Sequence, residues 1–438
     1  MELVPKNEFG DNMHIGFSAL SVLVIVSIFS GCGDNNDEVV SNISNPVIQL
    51  GPRPLFLVDS MKESTLKNEL KACENKVAVK SDFSIGHRGA GLQFPEHTKE
   101  SYTAAARMGA GIIECDVTFT KDEELVCRHS QCDLHTTTNI LATPLADKCS
   151  AQMDLTSAKP FENVKCCTSD ITLAEFKTLN GKMDAGNKNA ANLEEYLSST
   201  PNFRTDLYSA TGTLMTHKES IELFKALNVK MTPELKSPSV SMPYNGTFTQ
   251  EKYASKMLQE YVDAGVAPTS VFAQSFNYTD ILYWIKNNAP FGAQAVYLDG
   301  RAYGETADDK ANFAGFDADD SLTWGNRSMA QIKAAGINYI APPMWVLVKL
   351  DANNKIVPST YAIAAKLAGL NMITWTLERS GLLKPAGGGF YYQTTSSAIN
   401  NDGFTYEMLD VLAQDVGIKG IFSDWPATVT YYSTCKGL

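Results

Sequence analysis

From residue 84 onward the chain alternates two kinds of segment. Short apolar runs rich in Val, Ile, Phe and Tyr end in polar residues, and stretches with helical spacing follow them. The runs at 83–87, 112–117, 229–236, 270–276, 293–298, 337–341, 372–377 and 420–424 predict eight buried parallel strands. The stretches at 98–108, 217–227, 249–264, 280–287, 328–335, 361–367 and 405–415 predict helices between them. Several of these stop at a glycine, as at Gly109, Gly265, Gly336, Gly369 and Gly417. Eight strands alternating with helices predict an α/β chain folded as a (β/α)8 TIM barrel. A doubly wound open sheet is the competitor. It lacks support because no Gly-rich phosphate loop opens a helix after any strand.

One element breaks the rhythm. Residues 124–130 (ELVCRHS) also read as a strand, and the connector before them, TKDE, is only a few residues long. A parallel crossover needs about a dozen residues, so this connection predicts an antiparallel hairpin on the second barrel strand. Residues 131–215 then intervene before the next helix, too many for a bare loop. They predict an inserted, cysteine-containing subdomain above the C-terminal face, where barrels carry their chemistry.

The N-terminal part reads differently. Residues 15–29 form an uncharged apolar run, short for a membrane span, followed by Ser30, Gly31 and Cys32. This resembles a bacterial lipoprotein signal, in which 1–31 is removed and Cys32 is lipidated. A cleaved secretory signal or a single anchor is the alternative. Residues 32–80 then form a tether and N-terminal extension, and 81–438 the barrel. The expected location is the cell envelope or periplasm, membrane-anchored through the lipid.

Composition sharpens the class. The chain is 44% hydrophobic and 20% charged, which excludes disorder and leaves ample material for a core. A net charge of −12 argues against nucleic acid as a partner. Eight cysteines besides Cys32 have long, irregular gaps that fit disulfides in an oxidising compartment better than zinc. Neighbouring Cys166 and Cys167 are expected to bond one each to Cys132 and Cys149, in either pairing. Cys73 and Cys435 are candidates to bridge the chain ends. Cys127 is taken to share a face with His129 and Cys115 to face the helices, so no bond between those two is expected.

Polar residues collect at the predicted strand ends. The first strand closes with His87 and Arg88, the second carries Glu114 and Asp116, the hairpin returns with His129, and the third barrel strand carries Glu234 and Lys236. Alternation points Glu114 and Asp116 the same way, and likewise Glu234 and Lys236. Three carboxylates in one barrel mouth repel one another unless a cation sits among them, and an all-oxygen set favours Ca²⁺ or Mg²⁺ over Zn²⁺. With two histidines and two fixed cations around it, the group is equipped for phosphodiester hydrolysis.

The segments HRGAGLQFPEHTKESY (87–102), IECDVTFTKDEELVCRHS (113–130), TPELKSP (232–238), TWTLERSG (374–381) and GIFSDWP (420–426) resemble the glycerophosphodiester phosphodiesterase family, and its periplasmic members most. The resemblance implies a (β/α)8 barrel, one divalent cation, and small-molecule glycerophosphodiesters cleaved to glycerol 3-phosphate and an alcohol. It implies His87 and His129 as acid and base, Glu114, Asp116 and Glu234 as metal ligands, and Arg88 and Lys236 against the phosphate. Ser130 stands where the family commonly has Asp. His97 is expected behind the site, and His135 and His217 at the surface. Gln274, Phe276, Trp375 and Trp425 are candidates to line the pocket. A phospholipase D-like barrel acting on intact lipids and a glycosidase barrel are the rival activities. The glycosidase gives His87, His129 and Lys236 no role.

Overall fold

The computed structural model describes residues 47–438, so the expected signal segment, Cys32 and the start of the expected tether lie outside the described residues. Two short helices, α1 (Arg53–Ser60) and α2 (Thr65–Lys71), precede the barrel and bury Leu57, Val58 and Leu70 in its outer core.

Eight parallel strands then close on themselves. β1 (Ser81–Gly86) and β2 (Ala110–Phe119) start the barrel, and β3 (Leu125–Cys127) is the antiparallel return strand of a hairpin on β2. The barrel continues with β4 (Lys230–Leu235), β5 (Gln274–Ser275), β6 (Val296–Leu298), β7 (Tyr339–Ala341), β8 (Asn371–Leu377) and β9 (Gly420–Ser423). β1 pairs in parallel with both β2 and β9, which closes the ring. Helices cover it outside, among them α3 (Lys99–Arg107), α4 (His217–Ala226), α5 (Gln250–Asp263) and, at the end of the chain, α6 (Pro426–Lys436). Side-chain caps fix several starts: Thr98 accepts from Ser101 N–H, and Thr216 and Glu219 form a capping box.

Alternation sorts the strands into two cores. Ile85, Ile112, Val296, Leu298, Ala341, Ile373 and Phe422 fill the barrel interior. Ile113, Cys115, Val117, Met231 and Leu235 face the helices. Glu114, Asp116 and Glu234 therefore follow Ile112 and Thr232 inward, toward the mouth. Residues 131–215 carry a separate cluster that includes Leu134, Ile140, Phe161, Val164, Phe176 and Tyr196.

The hairpin has a consequence for the site. Val117 pairs with Leu235 of β4 on one edge of β2 and with Cys127 of β3 on the other. The edge taken by β3 is the one β1 uses lower down, where Gly86 pairs with Ile113. The return strand thus lies above the end of β1 and delivers Arg128 and His129 over Gly86 and His87.

Among the described residues four disulfides are formed: Cys73–Cys435, Cys115–Cys127, Cys132–Cys167 and Cys149–Cys166. The second corrects the expectation that Cys115 and Cys127 point apart. Cys127 lies opposite Val117, and residues directly opposite in a ladder share a face, so Cys127 faces the helices as Cys115 does. The strand ends at Cys127, so alternation does not extend to His129.

Candidate active site

The inward residues at the strand ends meet in one cavity of about 340 Å³, lined by His87, Arg88, Glu114, His129, Glu234, Lys236, Phe276 and Trp375 among others. The sharp exit from β1 sets up the first corner. Arg88 takes φ 57° and Gly89 φ 95°, and a Cβ at Gly89 would collide with Ser101. That turn aims the Arg88 backbone N–H at Glu114 Oε2, 3.0 Å away.

Glu114, Asp116 and Glu234 are all buried, and one carboxylate oxygen from each lies within 4.8 Å of the others. Asp116 is in register with Glu234 across the β2–β4 ladder. Gln274 Nε2 donates to Glu114 Oε1 at 2.8 Å, and Lys236 Nζ to Glu234 Oε1 at 2.6 Å. His97 Nε2 lies 2.9 Å from Asp116 Oδ2. The other oxygen, Asp116 Oδ1, is buried with no hydrogen-bond partner. Burial, Asp116 and Glu234 together push Glu114 well above the usual carboxylate range. Burial and the Asp116 charge push Glu234 up to about 8 against the pull of Lys236. An orphaned buried oxygen beside two carboxyls held above their ordinary range is the environment a hard cation relieves, so the donor set fits a divalent ion.

His87 is held from behind. Its Nδ1 lies 2.5 Å from Asp424 Oδ1, and its Nε2 faces Glu114 Oε2 at 3.8 Å. Asp424 stays ionised because Arg379 and His87 outweigh the cost of its burial. An ionised carboxylate accepts, so Nδ1 carries the proton and Nε2 presents its lone pair to the cavity. Burial and the Arg88 charge lower the His87 pKa. His129 is driven well below its ordinary value by burial, Arg88 and Lys236.

The cations are themselves anchored. Arg88 Nη1 lies 2.9 Å from Glu96 Oε2, and Arg379 Nη1 lies 2.8 Å from both Glu96 Oε1 and Asp424 Oδ2. Arg204, from the insert, reaches Glu96 Oε1 at 3.2 Å. Glu96 is thus ringed by three guanidinium groups, which together outweigh its burial and hold its pKa well below the carboxylate range.

All seven residues singled out for metal, acid–base and phosphate roles belong to this cluster, and Phe276 and Trp375 line the same cavity. Asp424, Arg379 and Glu96 were not singled out. Each lies inside a quoted motif, and Asp424 ends the predicted last strand. The pairing of Asp424 with His87 and of Arg379 with Glu96 emerges only when the barrel closes, whereas Glu96 meets Arg88 within the turn that follows β1. Trp425 packs into the outer core instead of the cavity. His217 is fully buried, not at the surface: its ring lies 2.8 Å from Glu260 and 3.1 Å from the Tyr261 hydroxyl, between α4 and α5. His135 is half-buried and accepts from Cys166 N–H.

Comparison with known proteins agrees with this geometry. Residues 87–428 match the model of the glycerophosphoryl diester phosphodiesterase family. An extracellular protein of Arthroderma benhamiae is 45% identical over 259 residues, 58% of this chain and all of that one. Glycerophosphodiester phosphodiesterase GDPD6 of Arabidopsis thaliana is 23% identical over 89% of this chain and 94% of its own. A Silicibacter pomeroyi crystal structure assigned as a glycerophosphoryl diester phosphodiesterase shares the fold. Its TM-score is 0.53 at 16% identity, over 84% of this chain and 97% of that one.

Proposed function

Because the chain belongs to the glycerophosphoryl diester phosphodiesterase family, we propose that it hydrolyses glycerophosphodiesters to glycerol 3-phosphate and an alcohol, with one divalent cation, Ca²⁺ or Mg²⁺. The observation that carries this reading is the cavity itself. Three buried carboxylates, one with an orphaned oxygen, share it with two histidines and the cations Arg88 and Lys236.

Glu114, Asp116 and Glu234 would hold the ion. Once bound, it would polarise a phosphoryl oxygen as a Lewis acid. Arg88 and Lys236 neutralise the remaining phosphate charge, and their anchoring by Glu96 and Glu234 keeps them in place before substrate arrives. His87, with Nδ1–H fixed on Asp424, takes a proton at Nε2 from the attacking hydroxyl. The bound diester's negative charge offsets Arg88 and Lys236, so His129 takes up a proton as substrate enters and gives it to the departing alkoxide oxygen. The attacking hydroxyl is either water or the glycerol 2-hydroxyl. In the second case a cyclic phosphate forms as the alcohol leaves, and water opens it to glycerol 3-phosphate.

Glycerophosphocholine is the direct test. Glycerol 3-phosphate and choline should appear in equal amounts, and chelator should stop their release. Turnover of an aryl glycoside in chelator, with the diester untouched, would overturn the reading. A substrate whose glycerol lacks the 2-hydroxyl separates the nucleophiles: slow cleavage marks internal attack, and an unchanged rate marks water. Export follows the same logic. Four disulfides and likeness to an extracellular protein support an oxidising compartment, and lipidation of Cys32 would hold the enzyme at a membrane.

A further inference from the structure

The cavity that holds the carboxylates runs on to a wall of different chemistry. Phe276, Tyr303, Trp375, Phe390 and Tyr391 line it there. Trp375 and Phe390 lie nearly parallel, with 18° between planes and centroids 6.1 Å apart. Tyr303 stands across both, at 79° and 6.0 Å from Trp375 and at 86° and 5.4 Å from Phe390. Phe276 meets Trp375 edge-on at 6.0 Å.

Two carboxylates share the cavity with these rings. Glu305 lies two residues past Tyr303 and is exposed, and Asp184 comes from the insert. Among the described residues neither side chain forms an ion pair or a hydrogen bond. That sets them apart from Glu96, Glu234 and Asp424, each of which is matched to a cation. Packing alone does not call for a Phe390 that is 40% exposed beside an exposed, unmatched Glu305. Aromatic faces set at right angles with a free carboxylate beside them attract an alkylated ammonium, whose charge is diffuse and whose shell is apolar.

The two walls are joined. Lys236 Nζ lies 5.9 Å from the centre of the Phe276 ring, and Phe276 touches Trp375. A diester whose phosphate sits among Arg88, Lys236 and the carboxylate cluster would send its alcohol portion past Phe276 toward Tyr303 and Trp375.

We infer that Tyr303, Trp375, Phe390 and Glu305 form a subsite for a cationic alcohol, an alkylated ammonium such as choline. The subsite selects among diesters by head group. It rests on the phosphodiesterase reading and extends it from the phosphate to the leaving group.

Glycerophosphocholine and glycerophosphoglycerol share glycerol and phosphate and differ in head-group charge, so the ratio of their kcat/KM values reads the subsite. The expected ratio is about tenfold in favour of choline. Glu305→Gln and Tyr303→Leu should each bring it toward one. Tetramethylammonium chloride, at ionic strength matched with sodium chloride, should compete with glycerophosphoglycerol in the wild type and compete more weakly in Glu305→Gln. Glu305 is exposed, so this variant carries the test even where Tyr303→Leu fails to fold. A wild-type ratio of one or below, or a ratio unchanged in Glu305→Gln, overturns the inference. Equal hydrolysis of both diesters sinks the subsite and leaves the phosphodiesterase intact, whereas hydrolysis of neither sinks both.

Discussion

Where β1, β2, β4 and β9 end, the side chains lining the cavity are charged, mostly buried and bonded to one another. Past β6 at Tyr303, within β8 at Trp375 and at Phe390 and Tyr391, they are aromatic, partly exposed, and accompanied by a carboxylate with no partner among the described residues, while Arg379 just after β8 belongs to the charged wall. The first wall is organised before substrate arrives: Asp424 fixes the His87 ring, Glu96 fixes Arg88, and Lys236 is held on Glu234. Such preorganisation suits groups that must meet developing charge without rearranging. The second wall meets a part of the substrate that does not react, so it can select without being rigid. The difference separates what every diester needs from what one diester prefers.

Substitutions should respect that division. The largest effect is expected at the carboxylates. Glu114→Gln or Glu234→Gln should lower kcat about 10⁴-fold on every diester and weaken calcium binding measured by titration calorimetry. Retention of both would break the division at its root. His87→Ala or His129→Ala should cost about 10³-fold in kcat with a smaller change in KM, because proton transfer belongs to the transition state. Loss of Arg88 or Lys236 should raise KM as well, since both meet charge already present in the ground state. Asp424→Asn should lower kcat about 10²-fold and leave KM nearly unchanged, as expected of a residue that acts by orienting His87. Equal losses in kcat and affinity would show Asp424 to be a general structural prop instead.

The smallest effect on turnover is expected at the insert's staple. Replacing Cys149 and Cys166 together by Ala opens a bridge across 17 residues and should cost about 3 kcal/mol of stability, read from denaturant unfolding. The kcat should change less than about tenfold. The insert meets the charged wall through Arg204, whose partner Glu96 keeps Arg88 and Arg379.

The same division governs what could be read in advance. The charged wall sits on single strands, where a period of two decides which residues turn inward. Glu114 with Asp116 and Glu234 with Lys236 were therefore visible as pairs. The hairpin was visible because its connector was too short for a crossover. Asp424 with His87 was not visible as a pair, because it joins the last strand to the first and exists only once the ring closes. Most of the aromatic wall comes from residues past strand ends, such as Tyr303, Phe390 and Tyr391, whose paths no local period dictates. Two expectations failed for definable reasons. Alternation carried through to His129 sets Cys115 and Cys127 on opposite faces, whereas the strand stops at Cys127 and the two are bonded. A position at a helix start predicts His217 at the surface, whereas its face packs on α5, where Glu260 and Tyr261 satisfy the ring.

Metal dependence is the claim on which both walls rest. Protein stripped with chelator and dialysed should release no glycerol 3-phosphate from glycerophosphocholine, and Ca²⁺ or Mg²⁺ added back should restore release in the wild type but not in Glu234→Gln. Full turnover by the stripped protein, or equal restoration in Glu234→Gln, would contradict the account.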